Sequence, residues 1–501
     1  MKYLAYDATT ALQIAEEGGV AAVLASIDAN AQLPPESVAN GLGMIEAIMN
    51  NKQAFAAVVD QDLVDKVMSI LQKYLRDPTI ALSCVRVLEK VAKTEEGLAM
   101  IHASAGVANL LAALAAAADQ EVHGEEDADL VMRATKVLGR VARTGDIIRE
   151  IKAAAGVDIY LRVLEAFPDE RIQRLGGKFL TRITGDSIEE LIAILREKGV
   201  SQAQMERTLA LLASLAIEGK SMEDIVNSGG VAALVDLLES AVSARALESA
   251  CKAIARIAGN ARNVQALVDA GAVAQLVLAL GHPQATSESR AQAIDALAKI
   301  AQAAQHMDAV VAEGAIEAVV AALKGDPTNA GLAAAALRFF AALQNNNFDM
   351  ERIAAADGAI PAVVAAMAAS PSNQGVQEAG TSVLVGFSNA AGAERNVAAI
   401  VEAGAVPIAI SNVQDYAENV ALLKSSMVLL THMLLVKEGE VAVREGGGID
   451  AIVGSVMMHP DDDEVRKAAM ELVELLSSDA LVKQMVEGLK KFVDGEMSQS
   501  E

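Results

Sequence analysis

Basic residues stand four apart at four places in the chain: Arg86 with Lys90, Lys136 with Arg140, Lys178 with Arg182, and Lys252 with Arg256. Residues at i and i+4 on a helix lie one above the other, so each pair would aim two cations in one direction. Lys299 continues the series with Asp295 as its upper neighbour, Arg338 resumes it, and Asn389 and His432 hold the equivalent place further on. Rows of guanidinium and ammonium groups suit charge-assisted hydrogen bonds to carboxylates, which bind and orient without making or breaking bonds. The alternative is an ordinary solvated helix face whose cations are paired with acids of their own helix.

Groups that do bond chemistry are not arranged for it. The histidines His102, His123, His282, His306, His432 and His459 are scattered, with no HExxH and no paired Cys/His spacing, so no metal is expected. The text EGKS at 218–221 matches the end of a phosphate-binding loop, but the place of that loop's first glycine holds Ser214. Its flanks read as helix on both sides, where a phosphate loop needs a strand before it. No GxSxG occurs, and the run DDDE at 461–464 reads as an acidic cap on the helix that follows. Neither an enzyme nor a cofactor is expected.

The elements that must carry the basic pairs come from a recurring phrase. NSGGVAALVDLLES at 227–240 joins two glycines to apolar residues at Val231, Leu234, Val235 and Leu238, one face of a short helix. Kindred phrases begin at Glu17, Ser104, Ala154, Asp269, Ala312, Ala356, Glu402 and Glu445. From Gly229 the next copies follow after 42 residues at Gly271, 43 at Gly314, 44 at Gly358, 46 at Gly404 and 43 at Gly447. Gln61 marks a degenerate copy between Gly18 and Ala105. Such a period belongs to α-solenoids, whose units bury their apolar faces on neighbouring units. Each unit reads as a short helix, a sharp turn needing positive φ or close approach, a helix of about ten residues, a polar turn such as GHPQATSES, and a longer helix such as RAQAIDALAKIAQ.

The phrases VDAGAVAQLVLAL and VEAGAVPIAI, preceded by IAGNARNVQAL and SNAAGAERNVAAI, resemble the armadillo repeat over nearly the whole chain. The resemblance implies an all-α fold, a right-handed α-solenoid of about eleven repeats whose third and longest helices line a groove for extended partners. In armadillo proteins that bind nuclear localisation signals those helices present Trp and, four residues on, Asn. The Asn positions correspond here to Lys90, Arg140, Arg256, Lys299, Asn389 and His432, and there is no Trp; an importin-type cargo role is therefore not expected. Catenin-like armadillo grooves bind acidic segments, which the basic pairs would suit. HEAT-like stacking is the near alternative.

One solenoid is expected over 1–495, with an acidic loop at about 118–130 and a polar tail at 496–501. Between Ala155 and Gly229 only 74 residues serve two repeats. One repeat should lack its short first helix, with an irregular junction near 183–188. Lys490 and Lys491 fall where inner units carry apolar residues, as a polar C-terminal cap would.

Charge and composition narrow the partners. Forty-one basic against 66 acidic residues give a net charge of −25, which opposes unspecific binding to nucleic acid or anionic lipid. Hydrophobic residues form 53% of the chain but aromatics only 3%, so the core is aliphatic and stacking on bases is not expected. No run reaches a membrane span, the first residues do not read as a signal peptide, and two separated cysteines, Cys84 and Cys251, read as buried and fit a reducing compartment. These features suggest a cytoplasmic, noncatalytic scaffold or adaptor. Its groove would run from about residue 86 to 300 and take a protein partner with acidic segments, a tubulin tail among the candidates. Family analogy offers a cytoskeletal assembly such as a ciliary axoneme as one setting. The alternative is a soluble transport or chaperone-like adaptor holding one acidic client reversibly. Towards the C-terminus Val385, Asn389, Val428 and His432, with Phe339, Phe340 and Phe387 nearby, give a more apolar face for a second partner or self-association, unless the phenylalanines belong to the core.

Overall fold

A computed structural model describes residues 8–29, 33–184, 188–197, 199–217, 219–240, 243–459 and 462–476. Within them lie 32 helices and no strand, and they group into eleven units, ten with three helices and one with two. The chain forms two compact units of higher order: Met1–Glu197 with Ala210–Ser228, and Lys198–Leu209 with Gly229–Glu501.

The turn in each repeated phrase works as its glycines require. Gly18, Gly229, Gly271, Gly314, Gly358, Gly404 and Gly447 all hold φ between +74° and +88°, where a Cβ is penalised. Two repeats put alanine there, Ala105 at φ +53° and Ala155 at +55°. The left-handed residue turns the chain sharply: Glu95–Ala103 meets Gly106–Ala118 at 76°, and Ala261–Asp269 meets Ala272–Leu280 at 82°. The degenerate copy at Gln61 dispenses with this turn. Asp60 caps the helix Gln61–Lys73 instead, its side chain accepting from Leu63 N.

The longest helix of several repeats starts at a polar cap. Side chains of Asp77, Ser243, Asn329, Asn373 and Asn419 accept from the backbone N–H three residues on, so the Pro- or Asn-bearing turns fix where these helices begin. The long helices then pack on one another in sequence, Pro35–Ile48, Pro78–Val91, Glu125–Val141 and Glu170–Thr184 in the first unit. In the second, Ala244–Ala258, Ser287–Ala301, Ala330–Asn345, Gln374–Ser388, Val420–Met433 and Asp463–Leu476 do the same. Val231, Leu234, Val235 and Leu238 are buried as their spacing predicts. So are Phe339, Phe340 and Phe387, which assigns these rings to the core.

In the two-helix repeat Glu170–Thr184 is followed by Ile188–Arg196 and then by Gln202–Leu215. Ile188–Arg196 packs on Gly219–Asn227, the relation that second helices elsewhere have to the next repeat's first helix, so the missing element is the short first helix. Of the expected junction, residues 185–187 lie outside the described residues, as do Lys490, Lys491 and the tail. The expected acidic loop is shorter than 118–130: Glu125, Glu126 and Asp127 form the first turn of Glu125–Val141, where carboxylates complement the helix dipole. Asp127 is buried and accepts from Gly124 N at 3.0 Å and Gln120 Nε2 at 3.1 Å. Asp462 in the DDDE run likewise accepts from Glu464 N and Val465 N.

Candidate partner-binding face

In the first compact unit the basic pairs lie on neighbouring long helices and differ in what they meet. Arg86 Nη2 is 3.0 Å from Asp129 Oδ2, and Arg133 reaches both Asp129, at 2.8 Å, and Glu89, at 2.6 Å. Burial alone would raise the Asp129 carboxyl, but hydrogen bonds from Arg133 and Arg86 hold it below the usual carboxylate range. Lys90 Nζ donates to Asn50 Oδ1 at 2.5 Å. Around Arg86 and Lys90 the face is therefore a mixed network of both signs. The next two helices are different. Lys136 is exposed and has no ion-pair or hydrogen-bond partner among the described residues, and Lys178 and Arg182 are exposed on the adjacent helix. Arg140 is half-buried, and its buried Nη1 has no hydrogen-bond partner among the described residues.

At several of the corresponding positions near the ends of the long helices the side chain has a structural task. Arg182 Nη1 donates to the backbone oxygen of Gly139, one of the carbonyls that the last turn of Glu125–Val141 leaves unpaired. Lys299 Nζ does the same for Ala255 at 3.0 Å while pairing with Asp295 at 2.7 Å. The imidazole of His432 contacts Ser388 Oγ through Nδ1 at 2.7 Å, and Asn346 donates to Ala301 O at 2.9 Å. A cation reaching back to the negative end of the preceding long helix satisfies a carbonyl and complements its dipole.

In the second compact unit more of the charge is already engaged. Lys252 and Arg256 are half-buried and engaged with neighbouring groups; burial pushes the Arg256 guanidinium down to about 10, so Arg256 stays charged at neutrality but does not face solvent freely. Asp295 neutralises Lys299 and lies 3.4 Å from Arg338. Asn389 is exposed at the end of Gln374–Ser388, and Val428 is 37% exposed.

A family model described as GAC ARM domain matches residues 4–501. The chain belongs to the GAC ARM domain family. No curated protein matches it. Among solved structures it is similar to an engineered protein, with 22% identity over 84% of this chain and 100% of that one and a TM-score of 0.49. It is also similar to a structure titled for a phosphorylation switch between cadherin and beta-catenin, with 14% identity over 91% and 80% and a TM-score of 0.47. A designed armadillo repeat protein in complex with the peptide (KR)4 shares 19% identity over 58% and 100%, with a TM-score of 0.30. The family model and the helices together make the fold an all-α armadillo-type solenoid, a fold that generally mediates contacts between proteins.

Among the described residues no group of three or more His, Cys, Asp or Glu could hold a metal ion, and no single helix is long and apolar enough to cross a membrane. Cys84 and Cys251 are buried, and burial pushes both thiols up, Cys251 to about 12, far from a reactive thiolate. Pairwise reading of the basic residues missed Arg171 and Arg174. They extend Lys178 and Arg182 up the same face of Glu170–Thr184, and continuing the four-residue step upstream from Lys178 would have found Arg174.

Proposed function

We propose that this chain is a noncatalytic scaffold or adaptor that binds an acidic, extended protein segment on the row formed by Glu125–Val141 and Glu170–Thr184. The observation that carries this reading is the exposure of Lys136, Lys178 and Arg182 on two adjacent helices, with Lys136 unpaired among the described residues. Cations of one sign held on rigid helices focus field on a carboxylate-rich ligand although the chain as a whole is acidic. The proposal is narrower than the stripe drawn from the sequence, because Arg86 and Arg338 already meet carboxylates of neighbouring long helices and Lys299 meets one of its own helix.

A labelled decaglutamate peptide tests it. Lys136→Glu with Lys178→Glu should weaken binding by about tenfold or more, since each reversal replaces attraction by repulsion, and the thermal melt should stay within a few degrees of the native one. Undiminished binding by a folded double variant contradicts the reading. The setting, a built-in component of a cytoskeletal assembly or a soluble cytoplasmic adaptor holding one client reversibly, is separated by extraction. A component stays with an insoluble particle at moderate salt, and an adaptor is soluble and releases its client.

A further inference from the structure

The basic face has an apolar centre. On Glu170–Thr184, Arg171, Leu175, Lys178 and Arg182 follow at steps of four, three and four, which keeps them on one stripe. Leu175 is half-buried, whereas Arg171, Arg174 and Lys178 around it are exposed. Together with Glu170 these residues line a surface cavity of about 330 Å³, at the small end of the range that ligands fill. The aliphatic stems of the arginines and the lysine make apolar walls while their charged heads stand at the rim. Two of those heads meet only local acids, Arg174 with Glu170 at 2.5 Å and Arg171 with Asp169 at 3.3 Å. Such exposed pairs contribute little and exchange readily for other carboxylates.

A chain of carboxylates alone would satisfy the heads and leave the dent filled with water against leucine. An acidic segment with one apolar side chain would satisfy both. We propose that Leu175 is a specificity-determining contact: the partner is an acidic peptide segment that seats an aliphatic side chain on Leu175 between the stems of Arg171, Arg174 and Lys178, with its flanking carboxylates on the heads. This rests on the acidic-partner reading above and adds to it which acidic sequences are chosen.

The test uses the full chain and three fluorescein-labelled peptides: Glu-Glu-Leu-Glu-Glu-Leu-Glu-Glu, the same peptide with Ala for Leu, and octaglutamate. The native protein should prefer the leucine peptide over its alanine version by about tenfold, the order expected for burying most of one aliphatic side chain. Leu175→Gln should erase that preference and leave octaglutamate affinity and its salt dependence within about twofold. Equal affinities of the native protein for the leucine and alanine peptides overturn the inference without any variant, as does a preference that survives in folded Leu175→Gln. If octaglutamate binds and Lys136→Glu with Lys178→Glu abolishes it while the leucine preference is missing, the acidic reading stands and this inference falls. If none of the peptides binds, both fall.

Discussion

Ala105 and Ala155 do what seven glycines do elsewhere in the chain, and they do it at a cost. An L-residue with a Cβ loses about 1–2 kcal/mol in the left-handed region, so Ala105→Gly and Ala155→Gly should each raise stability by about 0.5–1 kcal/mol after glycine's own entropy is charged. Urea midpoints check this, and an unchanged or lowered midpoint contradicts the strain at those turns. His432 carries a pH effect. Burial holds its imidazole below the ordinary value, with the Glu471 carboxylate opposing, so the unfolded chain takes up a proton at a higher pH than the folded one. Stability should be full above about pH 6.5 and fall as pH drops through the folded-state value, because protonation then favours the unfolded state. His432→Gln should flatten the difference between midpoints at about pH 7.5 and about pH 5.5; an undiminished slope would assign it to other groups. At this scale the sequence was readable where a residue type answers a backbone need. Gly271 between two helical phrases announces a positive φ, but the bond from Arg182 to the Gly139 carbonyl has no mark in the text, because it joins residues 43 apart whose packing must be known first.

Long helices were legible from their spacing and polar starts, and the absent short helix from the length available between Ala155 and Gly229. Packing distance was not. Gly176 and Gly177 sit inside Glu170–Thr184, where glycine is a poor helix former. A Cβ on Gly177 would lie 2.9 Å from the backbone oxygen of Ser214 in the following long helix, whereas one on Gly176 would meet mainly side chains of Leu164 and Tyr160. Gly177→Ala should therefore destabilise by about 1–3 kcal/mol despite the better propensity of alanine. A melt as stable as the native one would show that the two helices yield. The acidic stretch at 119–129 shows a second limit. Composition marks it as exposed and polar, yet its second half is the first turn of a helix with Asp127 buried. Acidic residues in a first turn and in a loop look alike until the cap, here Gly124 N donating to Asp127 Oδ2, is seen.

Over the whole molecule the balance of −25 repels acidic ligands on average, so binding of an acidic segment must come from a local excess of cations. That makes the central claim sharply dependent on a few residues and on salt: affinity should fall as ionic strength rises, since exposed charges are screened beyond about 8 Å at 0.15 M. The net charge, read from composition, correctly frames this problem, but it does not say which of the basic residues are already paired; Asp129, Glu89 and Asp295 decide that for Arg86, Arg133 and Arg338 by their place on neighbouring helices. The most direct measurement is affinity capture from native extract with the full chain and with Lys136→Glu, Lys178→Glu in parallel, each at low and high salt, followed by mass spectrometry. The account predicts partners with acidic segments on the native chain at low salt, lost at high salt and lost from the variant at both. The same partners on the folded variant, held at both salts, would contradict it.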